Sequence, residues 1–344
     1  MLMKKILFLL TVLFPAMVWA AVGDEFAADG LKFKVTSESP KSVELTGYDG
    51  ERPTGALTIP AMVKDYSVTS IGDSVFYECS GLTSITISTS VTSFGKNVLA
   101  GCTGLAKVIV PAFDVEKWCN ISFGNANSNP LTFAHHLYSD ETTEITKIVI
   151  PNGVKSIGNW AFYKWTNLTS VTIPNSVTSI GRAVFYGCSS LTSIDIPNGV
   201  TSVDFWTFGF SGLKSIEIPN SVTSIGYGAF SGCESLVVVT IPNSVTSIGE
   251  YAFSHCRGLT SIILGNSVTS IEVFVFSDCA NLSDIYCYAD PKALTWRRVQ
   301  GASENFMPNK QTKCHVKADN LATYKEKFGD VNVTFVGDLT EGSK

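Results

Sequence analysis

Nine residues, IPNSVTSIG, stand at 173–181 and again at 241–249, and they continue as IPNSVTSIGYGAF at 218–230. A reaction centre is assembled once, from unlike residues gathered at one place. A phrase written three times describes instead one packing problem solved repeatedly. Aligned on this phrase and its variants, Val recurs at 68, 91, 154, 177, 200, 222, 245 and 268. The steps are 23 residues, apart from one of 22 and a gap of 63 between Val91 and Val154. A fixed period of roughly 20–50 residues marks a chain whose units stack on neighbours of their own kind.

The residue types predict how each unit is built. In LTSITI (82–87), Leu82, Ile85 and Ile87 point to one face by strand alternation, leaving Ser84 and Thr86 on the other. Stacked, such segments form a parallel sheet with neighbours about 4.8 Å apart. Pro follows at 60, 111, 151, 174, 197, 219 and 242 and should end each strand, since it cannot donate to a central ladder. Gly at 72, 95, 158, 181, 226 and 249 suits a bend at positive φ. Asp204 and Glu272 replace it, and Glu272 is expected to take negative φ in an altered turn. Phe76, Phe162, Phe185, Phe208, Phe230, Phe253 and Phe276 share one phase, with Leu99 substituting once. They predict an aromatic spine, each ring burying roughly 150–250 Å². No unit can bury its own faces, so stability should be a sum over neighbouring coils.

The L-x-x-I-x-I strand resembles that of leucine-rich repeat solenoids. The S-V-T-S-I-G-x-x-A-F-x-x-C core more closely resembles the BspA-like (Treponema-type) class of bacterial leucine-rich repeat surface proteins, over about residues 54–288. The resemblance implies a repeat solenoid of stacked parallel β-strands, with short helical or 3-10 turns and distinct end caps. It also implies adhesion to host matrix proteins or to other bacteria.

The ends and one interruption leave the phase. MLMKK, the apolar run ILFLLTVLFPAMV and small residues before a cut after Ala20 read as a signal peptide at 1–20. That run is short for a membrane span, and no second one follows, so no transmembrane segment is expected. The expected location is extracellular, on the cell surface or in the periplasm. Residues 21–53 alternate as a β cap and 289–344 as a closing cap, with NLATYKEKF helical and DVNVTFVGD a strand. Between Val110 and Ile145, the insert at 112–144 is either a divergent packed coil or a projecting loop that carries Trp118, His135, His136 and Tyr138.

Chemistry-bearing motifs are sparse. Six of nine Cys sit at one repeat phase (79, 102, 188, 233, 256 and 279) and read as a ladder of buried thiols. Cys287 and Cys314 lie off that phase and could pair. There is no C-x-x-C, H-E-x-x-H, G-x-S-x-G or phosphate-binding loop. Asp195 and Glu217 fall at one phase of adjacent units, but on an open Ser/Thr face nothing would split their pKa values. No cofactor, metal or enzymatic activity is expected. With 25 Lys+Arg against 30 Asp+Glu, no nucleic-acid footprint is expected either. The expected function is a macromolecular binding scaffold with a protein partner, the alternatives being glycan binding or a passive surface spacer. Outward strand positions are mostly Ser and Thr, so the anchors are sought at the flanks: Trp118, His135, His136 and Tyr138 on one side, Tyr286, Tyr288, Trp296, Arg297 and Arg298 on the other.

Overall fold

The computed structural model describes residues 21–297, 311–329 and 333–340; residues 1–20, where a signal peptide is expected, and Arg298 lie outside the described residues. The repeats wind into a solenoid in which each coil adds one residue run to each of three rows. The long strands form the first row. Val238–Ile241, Ser261–Leu264, Asp284–Cys287 and Lys313–Lys317 run parallel in register, Thr240 level with Ile263 and Ile263 with Tyr286. Two-residue strands form the second, as in Ser224–Ile225 beside Ser247–Ile248 and Ser270–Ile271. The third row is the turn that carries the aromatic spine. It spans a stretch where the long sheet thins to a single bridge, Asp195 to Glu217: Ala183 N–H donates to Phe205 O and Phe185 N–H to Thr207 O, both at 2.9 Å.

Several letters of the repeated phrase have a partner one coil away. Val and Ile of the phrase face the core; Val245 and Ile248 have no exposed surface. The Ser hydroxyl donates to the Val carbonyl of the preceding coil, as Ser244 does to Val222 at 2.7 Å and Ser221 to Val200 at 2.7 Å. Thr246 donates twice to Thr223 O, from its amide at 2.9 Å and from Oγ1 at 3.2 Å, and Thr269 does the same to Thr246 O. The buried Cys thiol donates to the carbonyl of the preceding spine Phe: Cys233 to Phe208, Cys256 to Phe230, Cys279 to Phe253, at 3.0–3.1 Å. Several of these carbonyls already accept an amide, Phe230 O that of Cys233 at 3.2 Å and Thr223 O that of Thr246 at 2.9 Å, so the side chains take a second lone pair and add bonds between coils.

The spine is continuous from Phe162 to Phe276, with ring centroids 5.2–6.1 Å apart and planes within 27° of parallel. All seven predicted Phe rings are fully buried.

The glycine column works differently from the expectation. Gly72, Gly95, Gly158, Gly181, Gly226 and Gly249 do not have positive φ. The reason for glycine is close approach: a Cβ on Gly249 would stand 2.7 Å from Gly226 C, and one on Gly95 2.6 Å from Asp73 N. Glu272 likewise lacks positive φ, but its turn is not altered. Its amide bonds to Ile248 O at 3.0 Å, as that of Gly249 does to Ile225 O at 2.7 Å. Left-handed residues occur instead two and six positions on, at Trp206, Tyr251 and Phe274, and at Phe210, His255 and Asp278. In that conformation Trp206 N–H reaches Tyr227 O in the next coil at 2.9 Å and Phe210 N–H reaches Ser231 O at 2.8 Å.

Before the repeats, Glu25–Ala28, Leu31–Glu38 and Lys41–Tyr48 form an antiparallel meander whose last strand runs parallel to Tyr66–Ile71. The insert makes a coil: Ser122–Phe123 pairs with Ser93–Phe94, and Leu137–Tyr138 with Lys107–Ile109, both in parallel. Its helix Val115–Cys119 is capped by Asp114, whose Oδ1 accepts from the amides of Glu116 and Lys117. At the far end, helix Leu321–Phe328 and strand Thr334–Leu339 close over the last coil, with Tyr324 fully buried. Among the described residues, helices occur in the insert and in this closing segment, while the regular coils turn without them.

Candidate functional site

An open groove of about 1260 Å³ runs along the outer face of the long sheet, where that face meets the closing segment. Its floor is one column of outward positions: Glu217, Thr240, Ile263 and Tyr286. One wall is a row of Asn residues: Asn220 and Asn243, which follow strand-ending prolines, and Asn266, which follows Gly265 at the same phase. Tyr288, Lys317 and Thr340 close the far end.

Tyr286 is held in place rather than left free. Its ring stacks on His315, centroids 4.7 Å apart and planes 16° from parallel. His315 is clamped in turn: Nε2 lies 2.9 Å from Asp284 Oδ1 and Nδ1 2.9 Å from Asp338 Oδ1. Burial alone would lower the His315 pKa, but its bonds to Asp284 and Asp338 outweigh this and raise it. Asp284 is held below the usual carboxylate range by the Ser283 hydroxyl first, then by His315. The clamp ties the last repeat strand to the final strand of the closing segment.

The other flank candidates divide between buried packing residues and surface ion pairs. Trp296 was expected among exposed anchors, yet it is 5% exposed, because its strand pairs with Ser270–Ile271 and its ring meets Phe328 edge-on at 6.1 Å. Arg297 is exposed and its Nε lies 3.4 Å from Glu272. Trp118 is 2% exposed and donates to Ala161 O at 2.7 Å, which fixes the insert helix to the following coil. His135 ends the short helix Leu131–Ala134 in a left-handed conformation, with Nδ1 3.2 Å from Lys164 O. His136 pairs with Glu144, and Tyr138 lies under the Lys107 ammonium at 4.7 Å. Trp118 is thus core and His135 meets the following coil, while His136 and Tyr138 both contact Glu144, so the four do not form one platform.

Cys287 and Cys314 are both buried free thiols. Cys314 is level with Ile285, so Cys287 lies diagonally across the strand pair, and its sulfur is 3.2 Å from the Tyr324 hydroxyl. Asp195 and Glu217 are adjacent across their bridge and exposed, so nothing there excludes water. Among the described residues, no three His, Cys, Asp or Glu side chains gather to hold a metal ion, and no helix is long and apolar enough to cross a membrane.

One surface escaped the sequence reading. On the turn row, Tyr163, Tyr186, Trp206, Phe210, Tyr227, Tyr251 and Phe274 follow one another ring to ring at 4.9–6.0 Å. Phe205 stacks on Tyr227 at 5.3 Å and is 41% exposed; Phe210 is 46% exposed. The signal was available as aromatics clustered around the glycine column of successive units, hidden beside the more regular spine.

Residues 57–140, 132–216 and 206–295 match the family described as BspA type leucine rich repeat region. Among solved structures, a leucine rich cell surface protein from Faecalibacterium prausnitzii is 22% identical, with 83% of this chain and 98% of that one covered at a TM-score of 0.40. A leucine-rich repeat protein from Bacteroides ovatus is also 22% identical, covering 90% and 99% at 0.41. The pneumococcal vaccine antigen PcpA is 17% identical, covering 93% and 100% at 0.36. No curated protein matches the chain. With three overlapping matches running from 57 to 295 on a solenoid of stacked parallel strands, the chain belongs to the BspA-type leucine-rich repeat family.

Proposed function

We propose that this protein is an exported scaffold displayed at the cell surface, and that it binds another protein in the groove between the long sheet and the closing segment. The observation that carries this reading is Tyr286, a large side chain stacked on a clamped histidine in the floor of the groove. An anchor that is already ordered gives up little conformational freedom on binding, and Tyr is a favoured hot-spot residue. The leader at 1–20 and the family support surface display; adhesion to host matrix or to other bacteria is the role that fits both.

The test is a binding screen of the purified protein against extracellular matrix proteins, bacterial surface proteins and a glycan array. A protein ligand is expected, and Tyr286→Ala with Tyr288→Ala should weaken it at least tenfold, about 1.4 kcal/mol. A double variant that binds normally removes the groove from the proposal, and selective capture of glycans replaces the partner class.

A further inference from the structure

The aromatic ridge on the turn row lies outside the groove, and it is built rather than incidental. Glycines in neighbouring positions make space for its rings. A Cβ on Gly228 would stand 2.9 Å from the Trp206 indole, one on Gly209 2.5 Å from the same ring, and one on Gly232 2.6 Å from Phe210. Rings that stack along the solenoid axis cover one another's faces, as Tyr163 and Tyr186 do at 8° and Tyr251 and Phe274 at 9°. Their edges point to solvent. A sugar ring is recognised on an open aromatic face, so this ridge suits an apolar protein surface better.

Charge says which surface. In four successive coils the residue after the glycine column is Arg182, Phe205, Tyr227 and Glu250. The positive and negative ends thus flank two exposed rings at one lateral position, Arg182 lying 5.7 Å from the centre of the Phe205 ring. A two-fold axis lying across the ridge between Phe205 and Tyr227 reverses the coil order and keeps the lateral position. It sets Arg182 against Glu250 of a second copy, and Glu250 against that copy's Arg182. One coil further out on each side it sets Lys164 opposite Asp278, each six residues past the column; Asp278 also serves Arg257 and His255 of its own chain. A surface that is complementary to itself in this way is what an isologous dimer requires.

We propose that the protein forms an antiparallel homodimer through this ridge, with Phe205, Trp206, Phe210 and Tyr227 at its centre and two Arg182–Glu250 pairs at its flanks. Such a dimer leaves the groove on the long sheet of each copy open, so the assembly presents two binding faces.

The test is sedimentation equilibrium of the purified protein at micromolar concentration. A dimer is expected, and Phe205→Ser with Phe210→Ser should weaken it at least tenfold while leaving the thermal melt of the monomer in place. Arg182→Glu alone and Glu250→Arg alone should each weaken self-association by like-charge contact. Mixing these two single variants should restore a dimer, since the two reversed charges then face each other as an attractive pair while one native Arg182–Glu250 pair remains. A monomeric protein, or a dimer indifferent to the ridge, overturns the proposal. Failure of the mixed variants to associate better than either alone overturns the antiparallel register on which it rests. Capture of a glycan or of a different protein by the ridge of a monomer overturns it as well.

Discussion

The thiol of Cys256 donates to the main-chain carbonyl of Phe230 in the preceding coil, Sγ to O 3.1 Å, inside a core that admits no solvent to either residue. That carbonyl also accepts from the Cys233 amide at 3.2 Å, so the thiol takes its second lone pair and ties one coil to the next. Cys79, at the same phase in the first coil, contacts Tyr77 O of its own coil instead, Sγ to O 4.0 Å. Cys256→Ala should therefore cost about 0.5–1.5 kcal/mol, the usual net worth of one hydrogen bond, and Cys79→Ala less. Denaturant melts of the two variants make the comparison.

Burial also pushes the Cys256 thiol well above its ordinary pKa and Cys279 up to about 12. Only the thiolate reacts with alkylating agents. The native protein should resist iodoacetamide at the Cys ladder near pH 8, and every ladder position should label once the chain is unfolded. Peptide mass mapping reads this directly. Rapid labelling of Cys256 in the native state would show that the coils open locally.

Phe230 sits between Phe208 at 5.5 Å and Phe253 at 5.2 Å. Truncation to Ala should cost roughly 3–5 kcal/mol and loosen both adjacent coils, since each is buried by its neighbours. Hydrogen exchange should lose protection on both sides of the site.

Gly249→Ala separates two accounts of the glycine column. The backbone there is open to any residue, but the added Cβ meets Gly226 C at 2.7 Å and Tyr227 N at 2.9 Å. Backbone atoms give way reluctantly, so the expected loss is about 1–3 kcal/mol. Gly153→Ala meets no atom and is strained only by φ +111°. A neutral Gly249→Ala would mean that the coils can separate at no cost.

His315 gives the closing segment a pH dependence with a definite sign. Its folded pKa is raised, so its contribution is complete below the unfolded value of about 6.5 and is lost as pH rises through the folded value. The depressed Asp284 works in the other direction: its contribution is present above the unfolded carboxylate value and is lost in acid. The clamp should be strongest in weak acid, between those limits. His315→Gln should remove the decline in melting temperature on the alkaline side, and an unchanged profile would place that decline elsewhere.

The sequence by itself determined the coil. Period, strand alternation, terminating proline and the phase of Phe and Cys are local patterns repeated many times, and each repetition reinforces the same inward assignment. Partners between coils were not legible in that way. Glycine after VTSI reads equally well as conformational freedom or as close approach, and only the stacked backbone, with Gly226 lying against Gly249, distinguishes them. The flanks show the same limit. Trp296 looks like an exposed anchor until helix Leu321–Phe328 folds back and covers it, a contact between segments with no periodic relation. The groove and the ridge arise likewise from where winding places side chains from separate units. Tyr286 meets His315, and Phe205 meets Tyr227, because parallel stacking brings residues one coil apart to within about 5 Å. Local pattern fixes what each coil buries; the stacking of coils decides which exposed side chains become neighbours.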